Sequence, residues 1–327
     1  MSEVLVEATD LQVHFPQPHA LPVQAVDGVD LTVHRGETLG LVGESGCGKS
    51  TLGNALLRLV EPTGGRVSID GVDVTAADAR TLRALRRRTA MIFQDPYASL
   101  DPRFTVGDCI AEPLVIHRLH RGRSARRRRV GELMELVGLN PDLQGRYPHE
   151  FSGGQRQRVG IARALAGEPD FVVCDEPIAS LDVSVQAQVI NLLMRLQREL
   201  ALTYLIVSHD LAAIRQVSDR VAVMYLGRVV ESGDSATITA EPAHPYTEAL
   251  LSAVPVPEPD RERSRNRIVL AGDLPSPSDP PSGCRFRTRC PRVFEPCPDH
   301  DPALQVVGSA QGVEQLAACH LHGVTDR

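Results

Sequence analysis

Short apolar runs alternate along the chain with segments whose apolar residues recur at helical spacing. Strand-length runs occupy residues 38–42, 171–174 and 202–207, whereas residues 51–60 and 156–166 have the helical period. Such alternation is typical of α/β proteins, in which helices cover a largely parallel sheet. The pattern therefore predicts an α/β fold.

None of the apolar runs approaches the length of a membrane-spanning helix. The longest are strand-sized, well short of the roughly 20 residues that a bilayer requires. The first residues lack the basic and then apolar pattern of a secretory signal. We therefore expect a chain that does not cross a bilayer and that resides in the cytoplasm.

Composition and charge narrow the possible functions. Hydrophobic residues make up 42% of the 327 positions and charged residues 23%, which suits a globular core without disulfide staples. The net charge of -6 argues against a nucleic-acid coat protein, so we expect no nucleic-acid partner. The arginine-rich stretch of residues 121–129 is interpreted as a solvated helix face.

A glycine-rich segment carries the first candidate chemistry. Its residues are Gly43, Glu44, Ser45, Gly46, Cys47, Gly48, Lys49, Ser50 and Thr51. The segment matches the phosphate-loop pattern G-x-x-x-x-G-K-[ST] and lies between a predicted strand and a predicted helix, as that motif requires. Backbone N–H groups of such a loop bind the phosphates of ATP, Lys49 bridges the β- and γ-phosphates, and Ser50 binds Mg²⁺.

Lys49 is the single lysine of a chain with 34 arginines. Where arginine serves at every other basic position, the lysine that remains is expected to need a compact charge that a planar guanidinium cannot imitate. This bias therefore supports a specific role for the Lys49 ammonium.

A pair of acids supplies the second half of the predicted site. Asp175 and Glu176 end the apolar run of residues 171–174, and α/β proteins bind ligands at that end of their strands. Asp175 suits Mg²⁺ coordination through water, and Glu176 suits activation of the attacking water. We therefore predict ATP hydrolysis.

The segment between these motifs resembles the signature of the ATP-binding cassette (ABC) family. Phe151 precedes Ser152, Gly153, Gly154 and Gln155, which begin a predicted helix. The resemblance implies that this helix tip binds the γ-phosphate of ATP held by a second cassette. It also implies a phosphate-loop ABC cassette with a parallel core sheet, an antiparallel N-terminal sheet and a helical subdomain at about residues 96–166.

Further positions match the family in order. The resemblance implies that Gln94 senses Mg²⁺ and water and couples to the membrane subunit, and that Ser180, Leu181 and Asp182 signal across the dimer. It implies that His209 contacts the γ-phosphate and Phe15 stacks on adenine. Intact Lys49, Asp175, Glu176 and His209 oppose a rival interpretation as a degenerate regulatory subunit.

Two stretches narrow the resemblance to oligopeptide and dipeptide importers. They are residues 93–102 and 146–150, and residues 59–65 and 225–228 favour the second of the two ATPases in those importers. The implied partners are a sister ATPase, two membrane permeases and an extracytoplasmic peptide-binding protein, which would place the chain at the cytoplasmic face of the membrane. Relatives that carry glutathione or nickel complexes leave the substrate open, and a soluble cassette acting on nucleic acid or ribosomes is the rival from another class.

The cassette is predicted to span residues 1–239 and a small, irregular extension residues 240–327. The extension contains four of the seven cysteines, namely Cys284, Cys290, Cys297 and Cys319. Disulfides rarely persist in a reducing compartment, and four thiolates suit either a [4Fe-4S] cluster or zinc. The motif C-R-F-x-x-R-C-P, beginning at Cys284, resembles iron-sulfur tails of this subfamily, so a [4Fe-4S] cluster is predicted, with zinc or metal-free cysteines as alternatives.

Overall fold

A computed structural model describes residues 3–179, 181–254, 267–310 and 312–323. No helix within those ranges is long and apolar enough to cross a membrane. The strands are β1 (Val4–Gln17), β2 (Ala20–His34), β3 (Thr38–Val42), β4 (Gly64–Ile69), β5 (Val72–Asp73), β6 (Thr89–Ile92), β7 (Phe171–Asp175), β8 (Thr203–Ser208), β9 (Arg220–Tyr225), β10 (Arg228–Asp234), β11 (Gln305–Ala310) and β12 (Val313–Ala317). The helices are α1 (Lys49–Leu56), α2 (Ala79–Arg88), α3 (Val106–Ile116), α4 (Arg123–Leu136), α5 (Gly153–Leu165), α6 (Val183–Leu200), α7 (Leu211–Val217), α8 (Ser235–Ala240) and α9 (Pro245–Ala253).

The chain divides into two compact units. The first comprises Met1–Leu5, Val33–Glu37 and Ile69–Val207, and the second comprises Val6–Thr32, Thr38–Ser68 and Ser208–Arg327. Each unit draws on segments that are distant in sequence.

The first unit is built on three parallel strands and a group of helices. Strand β7 pairs in parallel with β6 on one side and with β8 on the other, and all five of its residues are buried. A parallel strand that is covered on both faces has apolar side chains at successive positions. Residues 171–174 have this pattern, which is why the sequence predicts a strand there. Helix α3 packs against α4 and α5 in the region predicted to be helical.

The second unit contains an N-terminal sheet and a mixed sheet. Strands β1 and β2 are joined by two residues, a link so short that the pair must be antiparallel. In the mixed sheet β3 pairs in parallel with β9, and β9 pairs in antiparallel fashion with β10. The predicted α/β fold, with a parallel core and an antiparallel N-terminal sheet, is confirmed.

The C-terminal extension contributes two strands that the sequence pattern did not predict. Strand β12 pairs with β10, and β11 pairs with β12, both in antiparallel fashion. Gln315 of β12 is buried and donates from its side chain to Glu231 of β10 at 3.0 Å. The extension therefore continues the mixed sheet of the second unit.

A buried histidine makes the stability of this unit depend on pH. His244 accepts a hydrogen bond from the Tyr246 N–H at the start of α9, and burial lowers its pKa to about 3, with His322 adding to the effect. Because the unfolded chain binds a proton near pH 6.5 and the folded chain does not, stability should fall as the pH drops from about 6.5 to about 3.

We expect His244→Asn, which keeps a helix-capping side chain, to remove this contribution. Urea unfolding at pH 5 and pH 7 should show a smaller loss of unfolding free energy for the variant than for the wild type. The wild-type excess should not surpass about 1.4 kcal/mol per pH unit, the limit for one proton. Equal losses in the two proteins would show that His244 does not titrate as described.

Candidate ATP site

The glycine-rich loop follows β3 and leads directly into α1. Gly48 adopts φ 106°, and a Cβ there would lie 1.9 Å from the carbonyl oxygen of Ala25. A Cβ on Gly43 would lie 2.2 Å from the Met224 carbonyl oxygen. These close approaches require glycine at both positions, which are the two glycines that the phosphate-loop pattern specifies.

Lys49 lies inside the loop and is 5% exposed. Its Nζ donates to the carbonyl oxygens of Gly43 at 2.8 Å and Glu44 at 2.9 Å. Within the described residues, no side chain caps the N-terminus of α1. A buried ammonium beside an uncapped helix start is an arrangement suited to an anion, and it fits the phosphates of ATP.

The predicted acids end strand β7 in the first unit. Asp175 is 8% exposed, and Glu176 follows it with φ 44°, a conformation that costs a non-glycine residue about 1–3 kcal/mol. The Glu176 N–H donates to the Val207 carbonyl oxygen at 2.9 Å, which helps to hold that conformation. Gln94 Nε2 donates to Glu176 Oε2 at 2.9 Å, so the structure brings these two predicted residues together.

The signature segment forms the start of α5. Ser152 caps this helix, accepting from the Gln155 N–H at 3.3 Å, while the Gln155 side chain accepts from the Ser152 N–H at 2.9 Å. A Cβ on Gly154 would lie 2.5 Å from Cγ1 of Val185, which explains the glycine at that position. Ser152 itself is exposed at the helix tip.

Sequence reasoning missed Arg156, which fixes the start of the signature helix. Its guanidinium donates to the carbonyl oxygens of Pro148 at 2.6 Å and His149 at 3.2 Å, and lies 3.9 Å from the centre of the Tyr97 ring. The two stretches that marked the importer subfamily therefore converge on one arginine. The sequence signals were Tyr97 and Pro148 in those two stretches, since an aromatic ring can bind a cation. Spacing alone could not identify Arg156 as their common partner.

The other predicted residues occupy separate positions. Asp182 is exposed just before α6 in the first unit, and Ser180 lies outside the described residues. His209 is exposed after β8 in the second unit, and Phe15 is 41% exposed on β1. Their roles in nucleotide binding remain predictions.

The chemistry of the donors suits Mg²⁺ as well as ATP. Ser50 offers a hydroxyl oxygen, Asp175 a carboxylate and Gln94 an amide oxygen, and Mg²⁺ prefers oxygen ligands. The compact ammonium of Lys49 complements a triphosphate as a point charge. These residue types therefore fit both groups.

The predicted [4Fe-4S] cluster is wrong. In the described ranges of the chain, no group of three or more His, Cys, Asp or Glu side chains is placed to hold a metal ion. Burial raises the pKa values of Cys284, Cys290 and Cys319, that of Cys284 to about 11. The fourth predicted ligand, Cys297, is buried and its carbonyl oxygen accepts from the Cys284 N–H at 2.9 Å.

The histidines near these cysteines bond to the backbone. His320 Nε2 lies 2.9 Å from the His300 carbonyl oxygen, and His322 Nε2 lies 2.7 Å from that of Ala243. These hydrogen bonds hold parts of the extension together. The zinc alternative is wrong for the same reason as the iron-sulfur cluster, because the residues that the structure describes include no group placed to hold a metal ion.

The fold, the phosphate loop, and the acids with the signature segment are together typical of the nucleotide-binding cassette of a transport ATPase. The family model described as ABC transporter matches residues 26–179, and the one described as Oligopeptide/dipeptide transporter, C-terminal region, matches residues 230–297. The chain belongs to the ABC transporter ATPases that carry this C-terminal region, and it is an ATPase.

Individual relatives match almost end to end. YkfD of Bacillus subtilis is 54% identical over 318 residues, covering 97% of this chain and 95% of YkfD. The oligopeptide transport ATP-binding protein OppF of Salmonella typhimurium is 52% identical over 312 residues, covering 93% of each chain. Among solved structures, the ATP-binding cassette MJ0796 bound to ADP and Pi matches with a TM-score of 0.65 at 29% identity, covering 71% of this chain and 99% of that one.

Proposed function

We propose that this chain is the ATP-hydrolysing subunit of an importer of oligopeptides. The observation that carries the proposal is the phosphate loop, whose carbonyl oxygens bind the buried Lys49 ammonium. The same chain matches the oligopeptide transporter C-terminal region. The name of its relative OppF, an oligopeptide transport ATP-binding protein, supports the substrate class.

In the proposed mechanism, separate groups of residues bind the phosphates, hold Mg²⁺ and activate the attacking water. The loop N–H groups and Lys49 bind the β- and γ-phosphates, and Ser50, Asp175 and Gln94 hold Mg²⁺. The metal, when bound, neutralises charge that develops on the transferred phosphoryl group. Glu176 accepts a proton from the attacking water, and its hydrogen bond from Gln94 supports an orientation for that task.

The proposed site is completed by a second cassette. Ser152 sits at the exposed tip of α5 with the N–H groups of Gly153 and Gly154 beside it, a suitable binding surface for the γ-phosphate held by a sister ATPase. Phe15 is assigned to the adenine, His209 to the γ-phosphate, and Asp182 with Ser180 and Leu181 to contacts across the dimer. ATP would join the two cassettes, and hydrolysis would remove the charge that holds them together.

The proposed transporter also includes two membrane permeases and an extracytoplasmic peptide-binding protein. Family membership supports these partners, and they would hold the chain at the cytoplasmic face of the membrane. The proposed boundary between cassette and extension lies near residue 239, with the helical subdomain at about residues 96–166. The Gln94 region is the proposed link between nucleotide and permease.

Peptide uptake by a deletion strain tests this function. Cells that lack the gene should lose uptake of a labelled tripeptide, and the wild-type chain should restore it. The Glu176→Gln chain should fail to restore uptake while still co-purifying with the permeases. Unchanged tripeptide uptake after deletion, with loss of glutathione or nickel uptake instead, would reject the peptide assignment.

A further inference from the structure

The C-terminal extension contacts the phosphate loop through a largely buried ion pair. Arg289 donates from Nη1 to Glu44 Oε2 at 2.7 Å and from Nη2 to Glu44 Oε1 at 3.1 Å. The side chains are 9% and 29% exposed, respectively, and hydrogen bonding to the carboxylate raises the pKa of Arg289 above its ordinary value. Two parallel bonds fix the direction of the carboxylate as well as balancing its charge.

Arg289 extends from a segment that is itself firmly packed. The ring of Phe286 is buried and lies 5.2 Å from that of Tyr225 and 5.4 Å from that of Tyr246. Arg285 donates from Nη1 to the Leu226 carbonyl oxygen at 2.6 Å. The arginines and phenylalanine of the C-R-F-x-x-R-C motif therefore all contact the nucleotide-binding part of the second unit.

The backbone of the loop has further anchors that do not involve Arg289. The Glu44 N–H donates to the Tyr246 hydroxyl at 2.8 Å, and the Gly227 N–H donates to the Cys47 carbonyl oxygen at 2.9 Å. Loss of the Arg289 side chain should consequently change the charge of the loop more than its shape.

An acidic side chain in this loop presents an electrostatic problem. ATP brings several negative charges to the loop, and the Glu44 carbonyl oxygen lies 2.9 Å from the Lys49 Nζ that is assigned to those phosphates. An unpaired carboxylate on a residue of this loop would repel the negatively charged nucleotide, because like charges are only weakly screened in a partly buried site.

We propose that Arg289 is a positioning residue for ATP binding, because it neutralises the Glu44 carboxylate and fixes its orientation. The inference rests on the proposed function of the loop as the ATP site. It assigns part of the C-terminal extension to nucleotide affinity, through charge pairing between residues that are 245 positions apart.

Arg289→Gln should weaken MgATP binding to the full-length chain by about tenfold, within the range typical of energetic coupling between linked groups. In the assembled transporter the variant should show a raised KM for ATP and an unchanged kcat. Arg292→Gln is the matched control, since it breaks the Arg292–Glu248 ion pair of the same extension, at 2.6 Å, without touching the loop. Its affinity for MgATP should equal that of the wild type.

Two more variants separate charge from structure. Arg289→Lys keeps a positive charge and should bind MgATP within about threefold of the wild type, as should the double variant Glu44→Gln with Arg289→Gln, which has no unpaired acid. The proposal is overturned if Arg289→Gln binds as tightly as Arg292→Gln, or if the double variant is as weak as Arg289→Gln alone. Failure of the wild-type chain to bind MgATP would instead reject the proposed function, and this inference with it.

Discussion

Replacement of Glu176 by glutamine is expected to lower ATP turnover by about 10²- to 10⁴-fold, the usual contribution of a general base. Glutamine has nearly the same size as glutamate but cannot accept the proton of the attacking water. Lys49, Ser50 and Asp175 are unchanged in this variant, so MgATP should still bind. Steady-state phosphate release by the assembled transporter measures the first effect, and titration of the isolated chain with MgATP measures the second.

The same variant should accumulate paired cassettes, because the γ-phosphate that joins them is no longer removed. Light scattering after size exclusion in the presence of MgATP should detect the larger species. Glu135→Gln, which removes an exposed carboxylate from α4 in the same unit, is the matched control and should keep wild-type turnover. Near-normal turnover by the Glu176 variant would remove Glu176 from the mechanism.

The local structures that the sequence predicted well around the candidate site are those in which the pattern lies within one short segment. Strand β7 is buried on both faces, so its apolar run and its terminal acids could be recognised together. The phosphate loop is equally local, since its glycines, lysine and following helix are consecutive. Ser152 and Gln155 likewise cap a helix through residues three positions apart.

The parts that could not be predicted depend on contacts between distant residues. The gathering of four cysteines and their resemblance to iron-sulfur tails indicated a metal, whereas the residues between Cys284 and Cys290 pair with the phosphate loop and with the β9–β10 turn. Arg156 meets Tyr97 and Pro148 only after the chain has folded. Strand β12 has a mixture of polar and apolar residues, so its pairing with β10 left no strong periodic signal.

Exchange of Lys49 for arginine should abolish most ATP binding although the charge is retained. The ammonium is 5% exposed and donates to the Gly43 and Glu44 carbonyl oxygens at 2.8 and 2.9 Å, a geometry that a larger, planar guanidinium does not reproduce. Loss of its charge-assisted hydrogen bonds should reduce the binding free energy of MgATP by about 2–4 kcal/mol, or roughly 30- to 700-fold. Calorimetric titration of both proteins with MgATP measures this difference.

Because Lys49 is the single lysine of the chain, its side chain can also be followed directly. Because this amine is buried, an acylating reagent should modify Lys49 only slowly in the wild type, and saturating MgATP should slow the reaction further, as detected by peptide mass spectrometry. Arg292→Lys, which makes the opposite exchange at the exposed ion pair with Glu248, should leave MgATP affinity unchanged and gain an acylation site that the nucleotide does not protect. Tight MgATP binding by Lys49→Arg, or acylation of Lys49 at the same rate with and without nucleotide, would refute the assignment of this ammonium to the phosphates.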